Sequence, residues 1–269
     1  MQREPARHPG PGGAWRGSAR MKLSAAARSD VGMRRTANED AFALAPGLGL
    51  FLVADGMGGH VAGQLASRLA AEHTVEALGM VAARSATLTE KLRYCVAAAN
   101  HHVFATAREK PEVAGMGTTL VAVLAGGGRL ALAHVGDSRA YLVRNGRIRQ
   151  LTDDHSLVAE LVRRRELSPD DAQDHPHRHV LTRAVGVRRS VDPDLAELTP
   201  GPGDVIVLCS DGLTAHVQDP EIAALVAAES DLDEACERLV ALANARGGED
   251  NVTVALVRCD ENEASAPRA

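Results

Sequence analysis

Short apolar runs that end in an acidic residue recur along this chain, and between them lie stretches whose apolar residues return at helical spacing. Leu48–Asp55 is apolar up to its last residues, the pattern of a strand buried on both faces. Gly63–Leu78 sets Ala66, Leu69, Ala70, His73 and Ala77 along one helical stripe. Leu88–Arg108 reads as a second helix, with Thr87 or Thr89 as its cap. Gly117–Leu124, Leu130–Val135, Ala140–Arg144 and Arg147–Gln150 read as short strands. Gly126-Gly127-Gly128 and Asn145-Gly146 supply turns between them, and Asn-Gly is the strongest short hairpin signal. The spacing predicts an antiparallel meander here. Asp153–Arg165 reads as a helix, followed by a polar, His-rich connection through Arg178. Val205–Cys209 is a buried strand, Glu221–Ala228 and Leu232–Ala245 are helical, and Val252–Val257 closes the sheet. Strands in groups and helices in pairs predict an α+β sandwich.

Composition narrows the classes. The 269 residues suffice for one large domain. A net charge of −5 lacks the basic footprint of a DNA binder, and 2% aromatic content leaves few platforms for stacking bases, so nucleic acid is not an expected partner. No apolar run reaches the ~18–20 residues of a membrane span, so no membrane partner is expected. Cys95, Cys209, Cys236 and Cys259 are scattered, with no C-x-x-C pair, and read as buried free thiols. Residues 1–22, rich in Pro, Gly and Arg at their start, are expected to form a disordered arm, with Met21 as a candidate initiator. Residues 23–258 are expected to form one domain and 259–269 a frayed tail.

The chemistry lies at the strand ends. Asn38-Glu39-Asp40 precedes one apolar run, Asp55-Gly56 and Asp211-Gly212 each end one, and Asp250-Asn251 opens another. A single Asp-Gly is usually just a turn. Four carboxylate sites at the edge of one core repel each other and need cations, and ligands that are all oxygen select Mg²⁺ or Mn²⁺. Glycines after Asp55 permit close approach of the backbone, so the Gly56 carbonyl can itself be a ligand. Arg35 is a fork suited to a phosphate. His155, His175, His177 and His179 surround the polar connection and read as solvated residues near substrate rather than as a zinc site.

These segments, in this order, resemble the PPM family of metal-dependent protein phosphatases (type 2C) in its compact bacterial form. The matching stretches are Val31–Asp40, Ala54–His60, Gly115–Thr119, Val135–Ala140, Cys209–Leu213 and Gly247–Val254. The resemblance implies a four-layer α/β/β/α sandwich of two antiparallel sheets flanked by helices, with residues 153–186 as a flap. It implies two core Mn²⁺ or Mg²⁺ ions and a looser third. Asp55 would bridge the core pair, the Gly56 carbonyl would join one ion, and Asp211 and Asp250 would bind one. Glu39 and Asp40 would bind directly or through water. Asp137, with Asp211, would hold the third ion, and Arg35 the substrate phosphate. Asn251 would orient Asp250 or a water. Met57 stands where many eukaryotic members have a candidate acid histidine, and His60 lies three residues on.

The implied function is hydrolysis of phosphoserine and phosphothreonine in proteins by a metal-activated water. It would oppose a cognate Ser/Thr kinase, and the enzyme would act as a cytoplasmic monomer. Two rivals stand beside it: a metal phosphatase or phosphodiesterase acting on small phosphoesters or nucleotides, and a pseudophosphatase serving as an interaction module. The intact Asp40, Asp55, Asp211 and Asp250 argue against the second.

Overall fold

The computed structural model describes residues 21–261. In chain order these form β1 (Met21–Asp30), β2 (Asp40–Ala45), β3 (Leu50–Met57), α1 (His60–Val81), α2 (Leu88–Glu109), β4 (Gly117–Thr118), β5 (Leu120–Gly126), β6 (Arg129–Val135), β7 (Arg139–Arg144) and β8 (Arg147–Gln150). There follow α3 (Leu157–Arg163), α4 (Pro169–Gln173), β9 (Asp194–Leu198), β10 (Val205–Cys209), α5 (Asp211–Thr214), α6 (Asp219–Ala228), α7 (Leu232–Ala245) and β11 (Val252–Glu261). The strands pair antiparallel in two sheets, ordered β1-β11-β10-β7-β8 and β2-β3-β5-β6-β9, with β4 hydrogen-bonded to β3.

Period-two alternation makes the four layers. On β3, Phe51 and Val53 turn inward and meet Ile206, Leu208, Ala255 and Val257 of the other sheet. Leu50, Leu52 and Ala54 turn outward and pack on α1 and α2. On β10, Val207 and Cys209 face α5, α6 and α7. A strand covered on both faces is apolar at every position, which is why β3, β5 and β10 read as unbroken runs. Against β3, α1 presents Ala62, Gly63, Ala66 and Ala70, small residues that let its axis come close to the sheet. The start of α2 is set by a capping box: Thr87 Oγ1 accepts from the Glu90 N–H while Glu90 accepts from the Thr87 N–H.

Four expectations need correction. The predicted meander is divided: β5–β6 and β7–β8 are hairpins, but β6 and β7 lie in different sheets. Alternation marks a strand and its faces, not the sheet it joins. The expected strand Gly117–Leu124 is broken at Thr119, whose N–H and hydroxyl bind the Asp55 backbone instead of a ladder. The expected helix from Asp153 begins only at Leu157, capped by Ser156, because the chain turns His155 inward to bond Gly136 before the helix starts. Finally, β1 and β9 were not expected. Both are edge strands, hydrogen-bonded to a neighbour on one side only, and carry weak apolar patterns.

Pairing of Met21 with Glu261 also brings residues 21–22 and 259–261 into the sheet, so these five belong to the domain and not to the arm and tail expected at 1–22 and 259–269. The remainder of each lies outside the described residues. Cys95, Cys209, Cys236 and Cys259 are all free and buried. Among the described residues no helix is long and apolar enough to cross a membrane.

Candidate metal centre

The carboxylates collect at one end of the two sheets. Asp40 opens β2 directly opposite Asp55 on β3, because the two are register partners of an antiparallel pair. β10 delivers Asp211 one residue past Ser210, at the first position of α5, and the loop before β11 carries Asp250. Asp137 sits in the turn between β6 and β7. A cleft of about 1440 Å³ is walled there by Arg35, Glu39, Asp55, Gly56, Asp137, Asp211 and Asp250. Asp40 is not part of the wall. It lies behind, and its Oδ2 accepts a hydrogen bond of 2.7 Å from the Ser210 hydroxyl.

Neighbouring polar residues hold each piece in place. The Asp55 N–H donates to Thr119 Oγ1, while its carbonyl accepts from the Thr119 N–H and the Thr118 hydroxyl. The Asn251 side chain fastens the loop that carries Glu39: its Oδ1 accepts from the Glu39 N–H, and its Nδ2 donates to the carbonyls of Val31 and Ala37. Of Asn251, it is the backbone N–H that reaches Asp250, donating to its Oδ1 at 2.8 Å. Glu39 is 6% exposed, so it is no solvated strand end. It presses on α1 so closely that a Cβ added at Gly63 would lie 1.9 Å from Glu39 Oε2 and 2.9 Å from the Gly56 carbonyl oxygen. A Cβ added at Gly56 would in turn lie 2.0 Å from the Gly63 carbonyl oxygen. His60 stands 3.7 Å from Glu39. Arg35 reaches Asp250 Oδ2 at 2.8 Å from the cleft rim, with 43% of its side chain exposed.

The electrostatics show why this arrangement suits cations. Burial, and then the fields of Asp40, Asp211, Asp137 and Asp250, push the Asp55 carboxyl well above the ordinary carboxylate range. Burial, reinforced by Asp211 and Asp250 against hydrogen bonds from Thr253 and Ser210, raises Asp40 to about 7. Asp137 is raised to about 8 by burial and by Asp211 and Asp154, and Asp211 is raised by burial and Asp250. Asp40 Oδ1 and Asp211 Oδ1 are buried oxygens with no hydrogen-bond partner. Orphaned oxygens and clustered anions are what hard, oxygen-seeking divalent ions satisfy, so the residues fit Mn²⁺ or Mg²⁺.

A pH dependence follows. In the metal-free fold Asp40 and Asp137 bind protons that the unfolded chain releases near pH 4. Stability therefore falls as pH rises through about 4 to 8. In EDTA the melting temperature is expected to drop between pH 5.5 and 8. Excess Mn²⁺ at pH 8 should restore about 2.7 kcal/mol per site at 100 times Kd, which is roughly 5–10 °C for a domain of this size. A flat metal-free profile would contradict the electrostatics drawn here.

The sequence profile described as "Protein phosphatase 2C" matches residues 33–256. The chain belongs to the protein phosphatase 2C family. This 2C chain is 39% identical over 240 residues to the serine/threonine phosphatase stp of Listeria monocytogenes, covering 87% of this chain and 94% of that one. Among solved structures it resembles the Mycobacterium tuberculosis serine/threonine phosphatase PstP/Ppp (TM-score 0.80, 39% identity, 88% of this chain and 99% of that one). It also resembles the catalytic domain of PstP in complex with two manganese ions (TM-score 0.79, 37% identity, 90% of this chain and 100% of that one). The protein is an enzyme, a protein serine/threonine phosphatase of two-sheet sandwich fold, and acts on phosphorylated proteins.

Several residues of this 2C site were given no role by the sequence, although Thr118, Thr119, Ser210 and Thr253 lie within the matching stretches. Ser210 and Thr253 steady Asp40, with the Thr253 N–H donating to Ser210 Oγ. Thr118 and Thr119 fix Asp55, and Gly63 makes room for Glu39. Hydroxyls and a helical glycine carry no local signal of such roles. Of the histidines around the connection, His177 and His179 are exposed, His175 is half-buried, and His179 lines the cleft. His155, expected to be solvated, is 3% exposed.

Proposed function

We propose that Asp55, Asp211, Asp250, Asp40, Glu39 and the Gly56 carbonyl hold two divalent ions, that Asp137 with Asp211 holds a looser third, and that Arg35 binds the substrate phosphate. The single observation that carries this reading is the convergence of five carboxylates on one cleft, with an orphaned buried oxygen on Asp211 in its wall and another on Asp40 behind it. Manganese is the favoured ion, since the 37%-identical PstP catalytic domain is described with two manganese ions, and the hard oxygen donors accept Mg²⁺ as well. When bound, such ions make water a competent nucleophile near neutral pH and neutralise charge on the phosphoryl oxygens.

The chain's own residues do the rest. Arg35 already lies at the rim and can turn its fork from Asp250 onto a phosphate. Thr118 and Thr119 keep Asp55 from shifting as charge enters the site. Residues 153–186 form a flap whose Arg178 and His179 line the cleft, beside Arg163 of α3. Their basic character favours a phosphorylated peptide near other anionic groups. All the site residues come from one chain, which supports a working monomer in residues 23–258. The setting proposed is the cytoplasm, opposite a cognate Ser/Thr kinase.

Hydrolysis of a phosphothreonine peptide by wild type and Asp211→Asn, with Mn²⁺ and with EDTA, tests the reading. Activity is expected only in metal-loaded wild type, and equal activity in the variant would remove Asp211 from the site. Arg35→Ala should raise KM for the same peptide about 10-fold or more, the loss of a charge-assisted contact of ~1.5–3 kcal/mol. A change in kcat alone would mean that Arg35 does not anchor the ground-state phosphate.

A further inference from the structure

One buried cluster lies beside the cleft but outside the carboxylate centre: His134 of β6, His155 and Asp194 of β9, whose ligand atoms all lie within 4.8 Å of one another. His134 is buried, its ring 4.6 Å from that of His155, and neither of its nitrogens has a partner in hydrogen-bond geometry; the Ser138 backbone is only nearby. Two histidines and a carboxylate invite the idea of another metal, but the hydrogen bonds argue otherwise. The Gly136 N–H donates to His155 Nδ1 at 3.0 Å, so Nδ1 carries no proton. The ring proton of the neutral imidazole must sit on Nε2, which faces Asp194 Oδ2 at 3.0 Å. A metal on Nε2 would have to displace that proton and take His155 as an imidazolate. A ligating histidine normally keeps a proton on its other nitrogen and donates it.

The same bonds suggest a different task. His155 satisfies both backbone groups of Gly136: its Nδ1 accepts from the Gly136 N–H, and its own N–H donates to the Gly136 carbonyl at 2.8 Å. Gly136 has φ +108, and a Cβ there would lie 2.6 Å from the Thr119 side chain, so this turn can be shaped only by glycine and held only from outside. The next residue is Asp137. On its other side His155, at the flap's first limb, meets the returning limb at residues 180–182. Its carbonyl accepts from the Thr182 N–H, Ser156 bridges Leu181, and the Leu157 N–H donates to the Val180 carbonyl. Asp194, which receives the Nε2 proton, also pairs with Arg183 on the returning limb of the flap.

We propose that His155 is a positioning residue. By clamping Gly136 it holds the Asp137 carboxylate at the third-ion position, and through Asp194 and Arg183 it joins that position to the base of the flap. Flap and third ion are then one mechanical unit, whereas the core pair is held mainly by Thr118, Ser210 and Asn251, with Thr119 touching both, since its hydroxyl lies 2.6 Å from that of Ser138. The inference rests on Asp137 being a ligand of the looser ion.

The test is Mn²⁺ binding to the full chain, with free Mn²⁺ followed by electron paramagnetic resonance, alongside kinetics and melting curves. Wild type should show two tighter ions and one weaker. His155→Ala should weaken the third about 10–100-fold, the usual effect of losing an outer-shell partner, with the tighter pair unchanged. His155→Asn, whose Oδ1 can take the place of Nδ1 as acceptor for the Gly136 N–H, should recover most of that loss. If the alanine variant does not fold, Asp194→Ala carries the test, since that side chain is 53% exposed and its removal frees the ring without opening the core. It should weaken the third ion and leave the pair intact.

Unchanged third-ion affinity in these variants, while Asp137→Asn abolishes it, would overturn the clamp and leave the metal centre standing. Uniform weakening of all three ions with a lowered melting temperature would reduce His155 to a structural role. A wild type that binds only two ions would remove the third-ion reading of Asp137 and the clamp with it. Stoichiometric zinc that survives desalting and is lost in His134→Ala would show that the cluster is a metal site instead.

Discussion

Asp55→Asn is expected to lower kcat for a phosphothreonine peptide by at least about 10³-fold, or ~4 kcal/mol at 1.36 kcal/mol per decade. Asp55 is the carboxylate on which the fields of Asp40, Asp211, Asp137 and Asp250 converge, so its charge is the one whose loss most weakens cation binding. The change is close to isosteric, so it removes a charge without removing volume. The metal-free variant should therefore melt above metal-free wild type, because one of several buried like charges is gone. In Mn²⁺ the order should reverse, since wild type gains the binding energy and the variant does not. Kinetics and melting curves with and without EDTA check both halves. Retention of a tenth of the wild-type kcat would rule out Asp55 as the central ligand. A metal-free variant less stable than wild type would show that repulsion does not dominate this site.

Gly63→Ala should cost kcat/KM about 10²-fold, the penalty expected when a catalytic group shifts by about 1 Å. Helix propensity predicts the opposite sense for stability, because Gly→Ala inside a helix normally gains about 1 kcal/mol. Here the new methyl would meet Glu39 Oε2 at 1.9 Å and crowd the Gly56 carbonyl at 2.9 Å. Either α1 moves away from β3 or Glu39 leaves its buried position. Both outcomes disturb proposed ligands, so the Mn²⁺ concentration for half-maximal activity should rise as well. A variant with wild-type Mn²⁺ dependence would mean that Glu39 can be displaced without consequence, and that its burial against Gly63 has no part in the metal centre.

Much of the fold was legible because buried strands are apolar throughout and helices repeat at 3.6. β8, β10, α2 and α7 came out within a residue of their observed ends, and Thr87 was among the caps foreseen. The edge strands β1 and β9 escaped notice, being half exposed. The helix expected from Asp153 begins four residues late, because His155 is needed inside, bonded to Gly136 and Asp194, where helical geometry could not place it. The candidate ligands were legible as a set, since acids at the ends of apolar runs must lie at the edge of a core. Their supports were not. Ser210, Thr118, Thr119, Asn251 and Gly63 act through single contacts across long sequence separations, which no local pattern records.

The sequence by itself determined most of the buried strands and long helices, which acidic residues lie at their ends, and that hard divalent ions suit such a set. Those properties follow from periodicity and charge, which are local. Only the tertiary structure decided that β6 and β7 part into different sheets, that Asp40 stands opposite Asp55, that Asn251 holds the Glu39 loop, and that His155 is buried against Gly136. The reason is physical. Register, sheet membership and close approach are chosen by the packing of the whole core, where a pleat's period of two admits several pairings and only side-chain contacts between distant segments select one.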